Sequence, residues 1–284
     1  MKNNIPKKIW ILWLQGWENA PEIVKECRKS WEKLNPDWEV VALDNITLSQ
    51  YIDSEEYLNN PKIPPQALSD IIRILLLKKH GGVWADASVF CSKPLNEWVY
   101  DHTPRGFFAF SKPGPYYDKL TSSWFLVSEK NNIVISEWLM ETKLFWSKGP
   151  VAPATITKTY HKLSHILIML RQSWVLKKSQ FFLKKSLGLF PYFWFHYIFD
   201  KLYARNKEVK KIWDYTPHIS ADGPHKLIFY GLEKDTTKEI LSFINSNESF
   251  VHKLSWRTDI TREDLKNSSV NILIDTTKNK YSFY

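Results

Sequence analysis

The chain has 284 residues, 44% of them apolar and 24% charged, with a formal net charge of +9. That is enough to bury one good core, and the absence of any run of about 18 uncharged apolar residues excludes a conventional membrane-crossing helix. Cys27 and Cys91 are the only cysteines and lack metal-ligand spacing, which excludes a disulfide framework and leaves buried free thiols as the expectation.

Met1-Lys2-Asn3-Asn4 leads straight into a strand-like segment and not into a signal-type apolar region, so a cytoplasmic protein is expected. Ile5 to Leu14 predicts a buried central strand, turned at Gln15-Gly16. Pro21 opens a helix to about Leu34 with Glu22 in its first turn, and Asn35-Pro36 ends it before a strand over Trp38 to Leu43. A β-α-β unit results. A second helix runs from about Pro65 to His80 on the spacing of Leu68, Ile71, Ile72, Leu75 and Leu76, and Gly81 stops it. The next strand, Val83 to Phe90, places Trp84, Asp86 and Ser88 on one face and Val83, Ala85, Ala87 and Val89 on the other. Strands over Phe107 to Phe110 and Trp124 to Val127 precede a helix from about Ile133 to Trp146. Phe190 to Tyr203 is apolar almost all round, a helix that is buried or dips into lipid but is too short to span it. Asp214 to Tyr230 reads as a loop and a strand.

The charge is uneven. Residues 151–212 carry 12 Lys/Arg against Asp200 and Glu208, while the remainder is nearly balanced at 27 against 28. Within that segment Trp174-Val175-Leu176-Lys177-Lys178-Ser179-Gln180 is nearly repeated seven residues later as Phe181-Phe182-Leu183-Lys184-Lys185-Ser186-Leu187. On a helix the lysine pairs return to one face and the aromatics to another, as in a basic amphipathic helix on an anionic membrane surface. A solvated lysine face over an ordinary core stripe is the alternative. Nucleic acid is not an expected partner, because the aromatics sit among aliphatics with no recognised binding motif.

The chemistry-bearing residues lie in two distant stretches, Ser69 to Ser88 and His252 to Trp256. A sugar nucleotide gains negative charge on its diphosphate as the glycosidic bond breaks, so a protein acting on it must place cations there. Asp86, Ser88, His252 and Ser255, with diphosphate oxygens, offer a shell for Mn or Mg, and Lys253 offers a point charge. Asp70 and Arg73 are an i, i+3 pair on one helix. Trp124, Asp222 and His225 are the acceptor candidates, an aromatic platform with a nearby acid.

Ser69-Asp70-Ile71-Ile72-Arg73 followed by Gly81-Gly82-Val83-Trp84-Ala85-Asp86 resembles the DXD-containing sugar transferases: initiating mannosyltransferases, clostridial toxin glucosyltransferase domains and, closest, capsular polysaccharide synthesis proteins. Ile5 to Trp10, Trp13, Gln15, Gly16, Ser30-Trp31, Ser220 to His225 and His252 to Trp256 are similar to the capsular group as well, so the resemblance covers nearly the whole chain. It implies an α/β GT-A fold with a Rossmann-like nucleotide-binding mixed sheet, one catalytic domain over 1–284 with a helical insertion at 151–212. It also implies retaining transfer from a nucleotide sugar, usually uridine-linked. In that frame Trp13 stacks on the base, with Gln15 beside it. Asp70 and Arg73 hold the donor sugar and its ribose or phosphate, Asp86 meets ribose and metal, and Lys253, Ser255 and Trp256 close over the diphosphate. Asp86, Asp70 and Asp222 are the acids expected to be catalytic.

Two positions depart from the pattern. Ser88 stands where the family has the second acid, and Pro191-Tyr192-Phe193 lacks an expected acidic residue. The expected activity is extension of a lipid-linked oligosaccharide of capsule or O-antigen type at the inner face of the membrane. The rival is a catalytically silent scaffold in a polysaccharide assembly complex. A glycoside hydrolase is disfavoured, since only Asp86 is well placed where two facing carboxylates are needed.

Overall fold

The computed structural model describes residues 4–53, 55–58, 60, 63–111, 119–147, 193–246 and 248–281. The repeated basic segment at 174–187 and Pro191-Tyr192 lie outside them.

The expected β-α-β unit forms from β1 (Lys8–Leu12), α1 (Glu22–Leu34) and β2 (Glu39–Leu43), with β1 and β2 parallel. Ile23, Val24, Cys27, Trp31 and Leu34 make one buried stripe along α1. Its C-terminal turn is closed by Asn35, whose amide donates to Trp31 O and accepts from Leu95 N. After the single turn α2 (Glu55–Leu58), the long helix α3 (Pro65–His80) runs into β3 (Gly82–Ala85). Gly81 and Gly82 make that junction with φ of 71° and 96°. A Cβ on Gly81 would lie 2.6 Å from Lys130 N, and one on Gly82 2.5 Å from Lys8 O. Only glycine tolerates both the left-handed backbone and the close approach.

β5 (Phe107–Ser111) and β6 (Thr121–Ser128) complete a five-stranded sheet of order β2-β1-β3-β6-β5. β6 runs against β3 and β5, so β1, β2, β3 and β5 share one direction. This is the mixed, mostly parallel Rossmann-like sheet expected of a GT-A fold. The centre belongs to β3 and not to β1, which lies between β2 and β3.

Alternation on the strands divides the core in two. Ile9, Ile11, Val83, Ala85, Phe125 and Val127 pack with α1 and with the C-terminal helices α8 (Lys238–Ser246) and α9 (Ser269–Lys280). Trp10, Leu12, Trp84, Phe107 and Leu126 pack on the other face with α3, α4 (Ile133–Ser147), α5 (Trp194–Arg205) and α6 (Lys207–Tyr215). α5 is thus a core helix, with Trp194, Phe195, Tyr197, Ile198 and Phe199 buried, which decides between the two readings of that apolar run. Cys27 and Cys91 are free, buried thiols as expected.

Two expectations are corrected. The strand read as Val83 to Phe90 breaks at a turn over Asp86 to Ser88, closed by Val89 N donating to Asp86 O at 2.8 Å. Beyond it, β4 (Val89–Cys91) leaves the large sheet and pairs antiparallel with β7 (Val251–Lys253). Alternation alone does not reveal such a break, because the residues on both sides of it are buried. The strand expected before Tyr230 is instead the helix α7 (Asp222–Tyr230). Its β-prone Leu227 to Tyr230 follows Asp222-Gly223-Pro224, which suits a helix first turn.

Candidate active site

The candidate site occupies one edge of the sheet, where the strands of common direction end. Trp13 follows β1, Asp86 follows β3, and β5 ends at Ser111, whose N–H and C=O bond Ile219 O and Ala221 N just before α7. Because β6 runs the other way, its first residues and the preceding Lys119 reach the same edge. Ligands of open α/β sheets bind at the carboxyl ends of the strands.

Asp86 is the hub. Its backbone N–H donates to Trp124 O at 2.9 Å, continuing the β3–β6 ladder by one residue. Its Oδ1 accepts from Arg73 Nη2 and from Trp84 Nε1, each at 2.9 Å, and its Oδ2 lies 3.5 Å from Lys253 Nζ. Arg73 also bonds Asp70, while its guanidinium lies over the Trp84 and Phe195 rings at 5.2 and 5.7 Å. The Arg73 side chain is 5% exposed, so this cation is wedged between two carboxylates and two aromatic faces. Lys253 donates to Ser88 Oγ at 2.5 Å. The two distant stretches are therefore joined, and the β4–β7 pairing joins them: Val89 faces Lys253, and Leu254 N donates to Ser88 O at 2.8 Å.

Burial pushes the Asp70 carboxyl up to about 7, against the pull of Arg73. Lys119, just ahead of β6, is brought down by burial to about 8 and senses both Asp70 and Asp200. Its Nζ lies 3.3 Å from His196 Nε2, and His196 is held well below its ordinary value by burial. No motif marks Lys119 or His196. Trp84 belongs to the Gly81–Asp86 motif without an expected role, and its indole N–H orients Asp86.

The remaining expected residues fall into three groups. Trp13 and Trp256 meet edge to face with ring centroids 6.1 Å apart; Trp256 is 47% exposed and Arg257 lies over its ring. Gln15, two residues after Trp13, is exposed. On the other flank Trp124 stacks on Phe110 at 5.0 Å and meets His225 edge-on at 5.4 Å, and His225 stacks on the exposed Phe229 at 5.5 Å. His225 is pushed down to about 4, chiefly by burial, so it is neutral near pH 7 and its Nδ1–H donates to Ala221 O at 2.7 Å. Asp222 is exposed at the start of α7 and accepts from Ser220 Oγ at 2.8 Å.

The expected metal shell does not assemble. On β7 consecutive side chains point to opposite faces. Lys253 meets Asp86 and Ser88, whereas His252 is 2% exposed with its ring edge-on to Phe243 and its Nδ1 without a hydrogen-bond partner among the described residues. Burial alone lowers His252 to about 3. Ser255 Oγ accepts from Arg257 N, Ser88 Oγ accepts from Lys253, and both oxygens of Asp86 face cations or an indole N–H. Among the described residues no three His, Cys, Asp or Glu side chains come together to hold a metal ion. The donor set as arranged does not fit Mn or Mg.

The model of the family described as capsular polysaccharide synthesis protein matches residues 1–173 and 175–272. Among curated proteins the chain is similar to the O-glycosyltransferase braB of Annulohypoxylon truncatum, 29% identical over 177 residues, or 55% of this chain and 40% of that protein. It is also similar to the initiation-specific alpha-1,6-mannosyltransferase of Candida albicans, 27% identical over 103 residues, or 33% of this chain and 27% of that one. The chain thus spans less than half the length of these curated relatives. Among solved structures it is similar to PaToxG glycosyltransferase, at 14% identity and a TM-score of 0.42 with 97% of this chain and 87% of that chain covered. It is similar too to the UDP-bound glycosyltransferase domain from the YGT toxin, at 11% identity and a TM-score of 0.40 with 99% of each covered. The family model, which runs through both halves of the site, shows that this chain belongs to the capsular polysaccharide synthesis protein family.

Proposed function

We propose that this protein is a glycosyltransferase that moves a sugar from a nucleoside diphosphate to a saccharide acceptor. The observation that carries the reading is the Asp70–Arg73–Asp86–Lys253 network at the carboxyl edge of the sheet. Two cations there are oriented by two carboxylates, which suits a leaving diphosphate whose charge grows in the transition state. The exposed Trp256 with Trp13 at one flank suits a nucleobase, and the Trp124, His225 and Phe229 rings with Asp222 at the other suit the acceptor.

The finer reading is a uridine-linked donor, a retaining outcome and a lipid-linked acceptor in capsule or O-antigen synthesis. Both Asp70 and Asp86 are engaged by Arg73, which favours same-face departure assisted by the leaving phosphate over attack by a carboxylate nucleophile. The basic residues of 151–212 support work at the inner face of an anionic membrane. Replacing Lys177, Lys178, Lys184 and Lys185 by Gln is expected to weaken binding to anionic vesicles, since each basic residue near such a surface contributes about 1 kcal/mol. Salt-insensitive binding unchanged by the replacements would reject that part.

The test of the activity is a screen of nucleotide sugars with the purified protein, following slow donor hydrolysis and thermal stabilisation. Stabilisation and hydrolysis with one donor are expected. Silence with all of them would favour the non-catalytic scaffold, a reading that Ser88 in place of the second acid supports.

A further inference from the structure

We infer that Lys253 stands in for the divalent cation of a metal-dependent sugar transferase, so that the protein binds its nucleoside diphosphate without added metal. The inference rests on the nucleotide-sugar reading above. The ammonium occupies the space between position 86 and position 88, where two acids would hold a metal: 3.5 Å from Asp86 Oδ2 and 2.5 Å from Ser88 Oγ. Serine at 88 fits this arrangement. Its hydroxyl accepts one ammonium proton, leaving Asp86 as the carboxylate that Arg73 and Lys253 share.

The two cations are held differently, and that assigns their roles. Arg73 is buried and bridges both carboxylates, so it holds the acids in place. Lys253 is 20% exposed, hydrogen-bonds Ser88, and stands at a looser distance from Asp86. An ammonium has three donors on a flexible stem. Lys253 can therefore keep Ser88 and turn its remaining protons to a diphosphate arriving from the open edge. A metal at this place would meet a carboxylate already engaged by Arg73, Trp84 and Lys253. Hard divalent cations need about six oxygen ligands, and the hydroxyls of Ser88 and Ser255 are already acceptors.

Calorimetric titration of the whole chain with UDP, GDP and CDP, each in EDTA and in Mn, tests this. One diphosphate is expected to bind with affinities agreeing within about twofold in the two buffers. Lys253→Met should weaken that diphosphate by about tenfold or more in EDTA, the loss of a charge-assisted hydrogen bond, with a smaller effect on its monophosphate. Lys253→Arg should retain most of the affinity, and melting curves of both variants report that the fold is intact. Wild-type binding lost in EDTA and restored by Mn overturns the inference while leaving the transferase reading standing. No binding of any diphosphate in either buffer overturns both.

Discussion

Replacing His252 by Leu separates its two possible roles, buried imidazole and metal ligand. In the folded protein burial lowers its pKa to about 3, against 6.5 in the unfolded chain. For a base whose folded value is depressed, the stability is present above 6.5 and is lost as pH falls from there towards 3, because only the unfolded chain takes up the proton. At pH 4.5 protonation favours the unfolded state by a factor on the order of 100, which relative to pH 7 removes about 2–3 kcal/mol. A folded value anywhere below about 4 gives nearly the same loss. Half-buried His225 and buried His196 titrate in the same direction but are common to both proteins. Leu also removes the unpartnered Nδ1 beside Phe243, so at pH 7 the variant is expected to match or exceed the wild type. The assay is urea unfolding of both proteins at pH 7 and 4.5. The wild type should lose about 2–3 kcal/mol more than His252→Leu between the two. Equal losses would refute the argument, and stabilisation of the wild type alone by Mn at pH 7 would return His252 to a metal shell.

Trp256→Ala should raise the donor KM about tenfold with kcat and melting temperature little changed, because the ring is half exposed and its expected contribution is base stacking. Unchanged KM would remove Trp256 from the donor site. Arg73→Lys keeps the charge but loses the planar fork that bridges Asp70 and Asp86, so turnover should fall by tenfold or more, with a stability loss of about 1–3 kcal/mol by denaturant titration. Wild-type turnover in that variant would show that a point charge suffices. Gly82→Ala should cost more than about 2 kcal/mol in thermal melts, since its φ is 96° and the new Cβ meets Lys8 O. A variant melting with the wild type would mean that the α3–β3 junction has another backbone available.

Much of the layout was legible along the chain. The stripe of α1, the run of α3 to Gly81-Gly82 and the strands β1, β2, β5 and β6 are recorded in local periodicity and in glycine and proline punctuation. Arg73 joins Asp70 through helical spacing alone. Trp13 and Trp256 were both expected at the donor site and do meet. Less was legible where burial is uniform: Gly82 to Cys91 is apolar enough on both sides to hide the turn at Asp86, and Leu227 to Tyr230 has the composition of a strand while lying in a helix.

The sequence by itself determined which segments are helices and strands in most of the chain, and that Asp70 and Arg73 share one helix face, because these properties depend on neighbours a few residues apart. Only the tertiary structure decided that β4 leaves the large sheet to pair with β7, and that Lys253 and not His252 faces Asp86. It also brought Lys119 near Asp70 from the start of β6. Such outcomes turn on strand register, where a shift of one residue exchanges the two faces, and register is set by packing between segments more than 160 residues apart.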